Sequence, residues 1–167
     1  MEQRDTWEGI YRVVSDSFLE HDKLKIKSSS FIEDDIKTLE EIFVMVSSVG
    51  LNLSIMEKIL VQWMRLMIIY ETDVKECFNL MEGKRKKYSN RPLEITGQIG
   101  ILVRQIAKLC RLHNMVTNEL TDQDESVLDT KRDIFNYCVI GFEIMYNSST
   151  HFNLEMISKR LNMEIHA

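Results

Sequence analysis

Asp129 and Asp133 stand four residues apart in the run SVLDTKRDIFNYCVIGFEIMY. On a helix that spacing stacks the two side chains on one face, and paired carboxylates offer the oxygen ligands that Mg²⁺ takes. The same two aspartates can equally form ordinary ion pairs with Lys131, Arg132 or cations of a neighbouring helix. Upstream, GQIGILVRQIAKLCRLHNM places Arg104, Lys108 and Arg111 along one side of a second helix. Such a stripe neutralises phosphates, with arginine suited to bidentate contacts, or it pairs with Asp129 and Asp133 with no ligand at all. A third group lies in KRKKYSNR, where Lys84, Arg85, Lys86, Lys87 and Arg91 put five cations in eight residues. Next to them Tyr88 is available to stack on a base, although a solvated basic loop has the same composition. An acidic group, Glu33, Asp34 and Asp35, falls in the opening turn of a helix, where negative charge favours the helix dipole. Glu40 and Glu41 sit deeper and can face a site made by later helices.

Other chemistries find no support. The four histidines are scattered without metal-ligand spacing. No Ser–His–Asp or Cys–His arrangement, phosphate-binding glycine loop or HExxH pattern occurs. Cys77, Cys110 and Cys138 lie far apart inside apolar helical runs and read as buried thiols of a reducing, cytoplasmic setting. The net charge of −5 argues against a protein that coats nucleic acid, because that binding depends on neutralising phosphates. No apolar run is long enough to span a bilayer.

The elements that must position these residues are helices. With one proline and six glycines in 167 residues there is little punctuation, and strand runs with period-two alternation are absent. A content of 44% hydrophobic and 28% charged residues suits one soluble all-α domain. The spacing predicts a helix from Asp5 or Thr6 to about His21, then a connector to Ser29. Ser30 with Glu33, and later Ser54 with Glu57, form capping-box patterns. The first of these helices ends at Gly50 as a C′ residue. The second runs unbroken toward Lys87, with Gly83 as its point of weakness. Pro92 stops that helix, and Thr96 caps the helix to Val116. After an acidic loop, Ser126 caps a helix ending near Asn147, and a last helix at 152–162 packs on the outside. The ten methionines read as core filler.

Residues from about Tyr70 to Tyr146 resemble the nucleotide-modification-associated domain 1 family. The resemblance rests on KKYS, GILVRQIAKLCRLHNM and DESVLDTKRDIFNYCVIGFEIM. Proteins of that family are common in phages and bacteria and look related to MazG-like all-α nucleoside triphosphate pyrophosphatases. Arg104, Lys108, Arg111, Leu112, Asp129, Thr130, Asp133, Asn136 and Tyr137 match the family pattern. The resemblance implies a MazG-like bundle of five to six helices with extra N-terminal helices, divided into N-terminal helices at 1–69, a family-like core at 70–147 and a C-terminal helix at 148–167. It also implies a homodimer or higher homo-oligomer, and assigns Asn136 and Tyr137 polar or stacking contacts to a nucleotide. Two positions depart from the pattern. Ala107 stands where the family has an aspartate before lysine, and Lys87-Tyr88-Ser89 replaces Asp-Tyr-Gly.

In the related pyrophosphatases several acids converge on Mg²⁺, which activates water. Here the helix at 97–116 offers no interior acid, while its cations remain. Three functions follow as expectations. One is a nucleotide-binding, phage- or mobile-element-encoded protein that sequesters a nucleotide or nucleotide signal without turnover, an anti-defence role. In it Arg104, Lys108, Arg111, Lys87 and Tyr88 hold the ligand and Asp129 and Asp133 hold Mg²⁺ or orient the cations. The others are a Mg²⁺-dependent pyrophosphohydrolase and a helical interaction or regulatory protein.

Overall fold

Apolar residues recurring every three or four positions wind the chain into helices, seven of them among the described residues. The computed structural model describes residues 3–20, 32–71, 73–87, 91–121 and 124–166. The helices are α1 (Gln3–Glu20), α2 (Ile32–Val49), α3 (Leu53–Ile69), α4 (Val74–Lys87), α5 (Arg91–Thr117), α6 (Glu125–Ser148) and α7 (Leu154–His166). The all-α expectation holds among the described residues.

The helix ends show which local signals win. Gly50 does close α2: its φ is +78°, and its N–H donates to the Val46 carbonyl at 2.9 Å. The expected cap of α2, Ser30, lies outside the described residues. The cap of α3 is Asn52 rather than Ser54, because the Asn52 side-chain oxygen accepts from the Ile55 N–H at 2.9 Å. The unbroken helix expected to Lys87 is two helices. Tyr70 ends α3, and Asp73 starts α4 by accepting from the Lys75 and Glu76 N–H groups at 3.1 and 3.3 Å. Gly83 lies inside α4 and breaks nothing. Pro92 does not stop a helix; it opens α5, where a missing N–H costs no hydrogen bond. The backbone turns instead at Gly97, with φ 62° and ψ −146°. Such a φ suits glycine, and it separates the turn 91–96 from the rest of α5.

The α5–α6 pair is the centre of the bundle. Three buried side-chain bonds fix its antiparallel register. Gln98 Nε2 donates to the Gly141 carbonyl at 2.9 Å, Gln105 Nε2 to the Ile134 carbonyl at 2.9 Å and to Cys138 Sγ at 3.2 Å. Around this pair, α2 packs along α5 and α3 along α6. Glu33, at the start of α2, meets His113 near the end of α5 at 3.6 Å, so these two also run antiparallel. The other flank of α6 is covered by α1, which also packs on α7.

One apolar core joins all seven helices. Trp63, Phe135, Phe142 and Phe152 are its largest fully buried side chains. Each contributes about 1.5–3 kcal/mol by leaving water. Trp63 packs against Gly141, where a Cβ would stand 2.6 Å from the indole nitrogen. That nitrogen donates to Gln98 Oε1 at 3.0 Å, so one glycine admits both the ring and its hydrogen bond. The last helix, α7, packs on α1 and α3 and sends Ile157 and Leu161 into the core. Of the three thiols, Cys77 and Cys138 are buried as expected, but Cys110 is exposed because it lies on the outer side of α5.

Candidate functional site

The charged residues singled out in the sequence meet where α4 reaches across α6 toward α5. Asp133 holds one lysine on each carboxylate oxygen: Lys84 of α4 at 2.9 Å on Oδ1 and Lys108 of α5 at 2.9 Å on Oδ2. All three side chains keep solvent contact, so two ammonium groups and one carboxylate form a partly exposed cationic cluster. Arg104 and Arg111 stand one helical turn before and after Lys108 on the same side of α5. Arg104 is half-buried and turns back on its own helix, donating to the Gly100 carbonyl at 3.4 Å; Arg111 is exposed. Lys87, near the end of α4, is exposed. Tyr88 lies outside the described residues.

Asp129 does not join Asp133. It is exposed and takes Arg132 of its own helix at 3.4 Å. Among the described residues no three His, Cys, Asp or Glu side chains gather in a metal-holding group. As arranged, the pair does not fit Mg²⁺: both Asp133 oxygens already carry ammonium groups, and Asp129 faces elsewhere. Glu40 and Glu41 are exposed on α2.

Two residues expected at the ligand have structural surroundings instead. Asn136 is 1% exposed; its Oδ1 accepts from the Tyr11 hydroxyl and its Nδ2 donates to the Cys77 carbonyl at 3.1 Å. With both ends engaged it ties α1, α4 and α6 together and presents nothing to a ligand. Burial raises the Tyr11 hydroxyl pKa well above its ordinary value, so this donor keeps its proton. Tyr137 is half-buried and packs against the core.

The structure adds a buried pair that the sequence reading passed over. Arg85 donates to Glu143 Oε1 at 2.6 Å, and the second oxygen of Glu143 has no hydrogen-bond partner among the described residues. Burial pushes the Glu143 carboxyl up to about 7, against the pull of Arg85 downward and with a further push from Glu94. Its signal was visible as an acid inside the apolar run IGFEIMY. Lys84 and Arg85 are neighbours on α4, yet their partners are ten residues apart on α6, about 15 Å along its axis. Two adjacent cations therefore straddle α6 and pin the basic end of α4 across it. A second buried acid, Asp35, accepts from the Tyr70 hydroxyl at 2.8 Å, and burial raises its pKa. That bond ties the start of α2 to the end of α3.

Compared with known proteins, the chain matches no family model, no curated protein and no solved structure. Among the described residues no helix is long and apolar enough to cross a membrane.

Proposed function

We propose that this chain binds a phosphate-bearing small molecule, a nucleotide or nucleotide-derived signal, on the cationic face shared by α4 and α5, and holds it without turnover. The observation that carries the reading is the meeting of Lys84 and Lys108 on Asp133. Two helices deliver positive charge to one carboxylate, leaving the cluster positive, and Arg104 and Arg111 extend it along α5. A phosphate entering there exchanges one lysine contact with Asp133 for a contact with its own oxygens, which are more highly charged. The reading without turnover is supported by the geometry of these two carboxylates: Asp129 and Asp133 meet different partners, so this pair is not aimed at a shared cation or water. Sequestration of a defence nucleotide by a phage-encoded protein is the biological setting that this reading carries with it.

The test is a panel of linear and cyclic nucleotides, with and without Mg²⁺, followed by melting temperature and by chromatography of the ligand. The expected result is a concentration-dependent stabilisation by at least one nucleotide that is recovered intact. Consumption of the nucleotide only with Mg²⁺ supports the pyrophosphohydrolase instead, and no shift with any nucleotide removes the reading.

An apolar stripe favours a second reading, pairing with another copy of the chain. Ile99 and Val103 on α5 are 40% and 49% exposed, one turn apart, and Ile95 is 73% exposed. Sedimentation of the chain and of Val103→Glu tests it: a dimer that the substitution dissociates is the expected result, and a monomeric parent chain rejects it.

A further inference from the structure

Because α2 packs mainly on α5 and α3 mainly on α6, a groove is left open between α2 and α3. It holds about 400 Å³, toward the lower end of the range for small-molecule sites. Ile42, Met45 and Val61 supply its apolar floor. Four charged side chains stand around that floor: Glu41 from α2, Glu57 and Lys58 from α3, and Arg160 from α7. Their situations differ. Glu57 is committed on both oxygens, with His151 at 3.0 Å on Oε1 and Arg160 at 2.7 Å on Oε2. That bond engages only Nη1 of Arg160 and holds the guanidinium in place; its other donors meet no acceptor among the described residues. Glu41 and Lys58 are exposed, and neither forms an ion pair among the described residues, with the other or with Arg160. The groove therefore offers an open carboxylate, an open ammonium and the unused edge of a fixed guanidinium over an apolar floor.

We infer that this groove is a binding site for a free amino acid with an apolar side chain. The ligand's carboxylate takes Lys58 and the open donors of Arg160, a charge-assisted pairing that the planar guanidinium favours. Its ammonium takes Glu41, and its side chain covers Ile42, Met45 and Val61. A simple carboxylate of the same shape leaves Glu41 unanswered, and a simple amine leaves Lys58 and Arg160 so. Only a ligand carrying both charges meets both. The inference is independent of the phosphate reading, because it uses none of Lys84, Lys108, Arg104 or Arg111, and either can fail alone.

Calorimetric titration of the whole chain with leucine, methionine and phenylalanine tests it. Each is compared with the amine that lacks its carboxylate and the acid that lacks its amino group. At least one amino acid is expected to bind at millimolar concentration or below. It should exceed each of its two analogues about fivefold, the upper end for an ion pair still open to water. Glycine, which leaves the floor bare, should bind at least about tenfold more weakly. Glu41→Gln lowers affinity for the amino acid and does not lower it for the deaminated analogue. Lys58→Gln lowers affinity for both and does not lower it for the amine. Both positions are exposed, and a circular-dichroism melt checks that each variant keeps the fold. The assignment is overturned if none of the three amino acids binds at millimolar concentration. It is overturned equally if an analogue binds as tightly as its parent, or if neither variant moves the amino-acid affinity.

Discussion

Glu143 keeps only 3% of its side chain exposed and meets Arg85 at 2.6 Å. The pair makes stability depend on pH in a defined direction. Burial holds the folded carboxyl at about 7, above its ordinary value of 4.5. Between those values the folded chain retains a proton that the unfolded chain has released. The stabilisation is therefore complete below the unfolded value and is lost as pH rises through about 7. The separation corresponds to roughly 3 kcal/mol. Asp35, raised by burial, acts in the same sense. Burial alone would raise Glu57 too, but hydrogen bonds from Arg160 and His151 outweigh it and lower the pKa; its stabilisation is lost only as pH falls through that lowered value. Denaturant melts from pH 5 to 8 should show stability falling as pH rises, and Glu143→Gln should flatten the slope. An unchanged slope in that variant would show that Glu143 is not the titrating group.

Asp133 is predicted to oppose the anion rather than recruit it. In Asp133→Asn both lysines lose their carboxylate, so affinity for a phosphate-bearing ligand should rise several-fold. Stability should fall by about 1 kcal/mol or less, as for other solvent-accessible ion pairs. Lys84→Met and Lys108→Met should each lower the affinity several-fold. Loss of binding in Asp133→Asn, with an unchanged melt, would instead mean that the carboxylate holds a metal or the ligand itself.

Gly141→Ala should disturb Trp63. The added methyl stands 2.6 Å from the indole nitrogen and 2.7 Å from its neighbouring carbon, so the ring must shift. The expected cost is about 1–3 kcal/mol, that of overpacking a filled core. A change in near-ultraviolet circular dichroism should accompany it. A variant as stable as the parent would show that the ring moves at no cost.

Cys110 should react alone among the three thiols. In the native chain a disulfide-exchange reagent is expected to modify one thiol rapidly, and Cys110→Ser should abolish that phase, since Cys77 and Cys138 are buried. Burial also raises the Cys138 thiol pKa, which slows its attack further. Three fast thiols would mean that the bundle opens readily.

The helical periodicity made the fold class legible, and the four-residue spacing placed Lys108 and Asp133 on usable faces. Which cation would meet which acid was not legible. Lys84 reaches Asp133 only because α4 crosses α6, and the crossing depends on a break at residues 70–73 that no glycine or proline marks. Asn136 is given a ligand contact only through the family resemblance; its partners, Tyr11 and the Cys77 carbonyl, lie 125 and 59 residues away. Glu143 was readable as an anomaly in an apolar run, but Arg85 sat among four other cations with equal claims. Periodicity reports which side of a helix faces inward, and it is silent on which distant residue waits there.

Gln98 and Gln105, seven residues apart on α5, bond the Gly141 and Ile134 carbonyls, seven residues apart on α6. Matched intervals of this kind act as an index. Sliding α5 by one turn, about 5.4 Å, would set both amides against apolar side chains, each stranded with its hydrogens unanswered. Leucine and isoleucine alone would tolerate several such offsets. The surface contact of Lys108 with Asp133 is too weak to choose among them, so its position is inherited from two buried amides that never touch solvent.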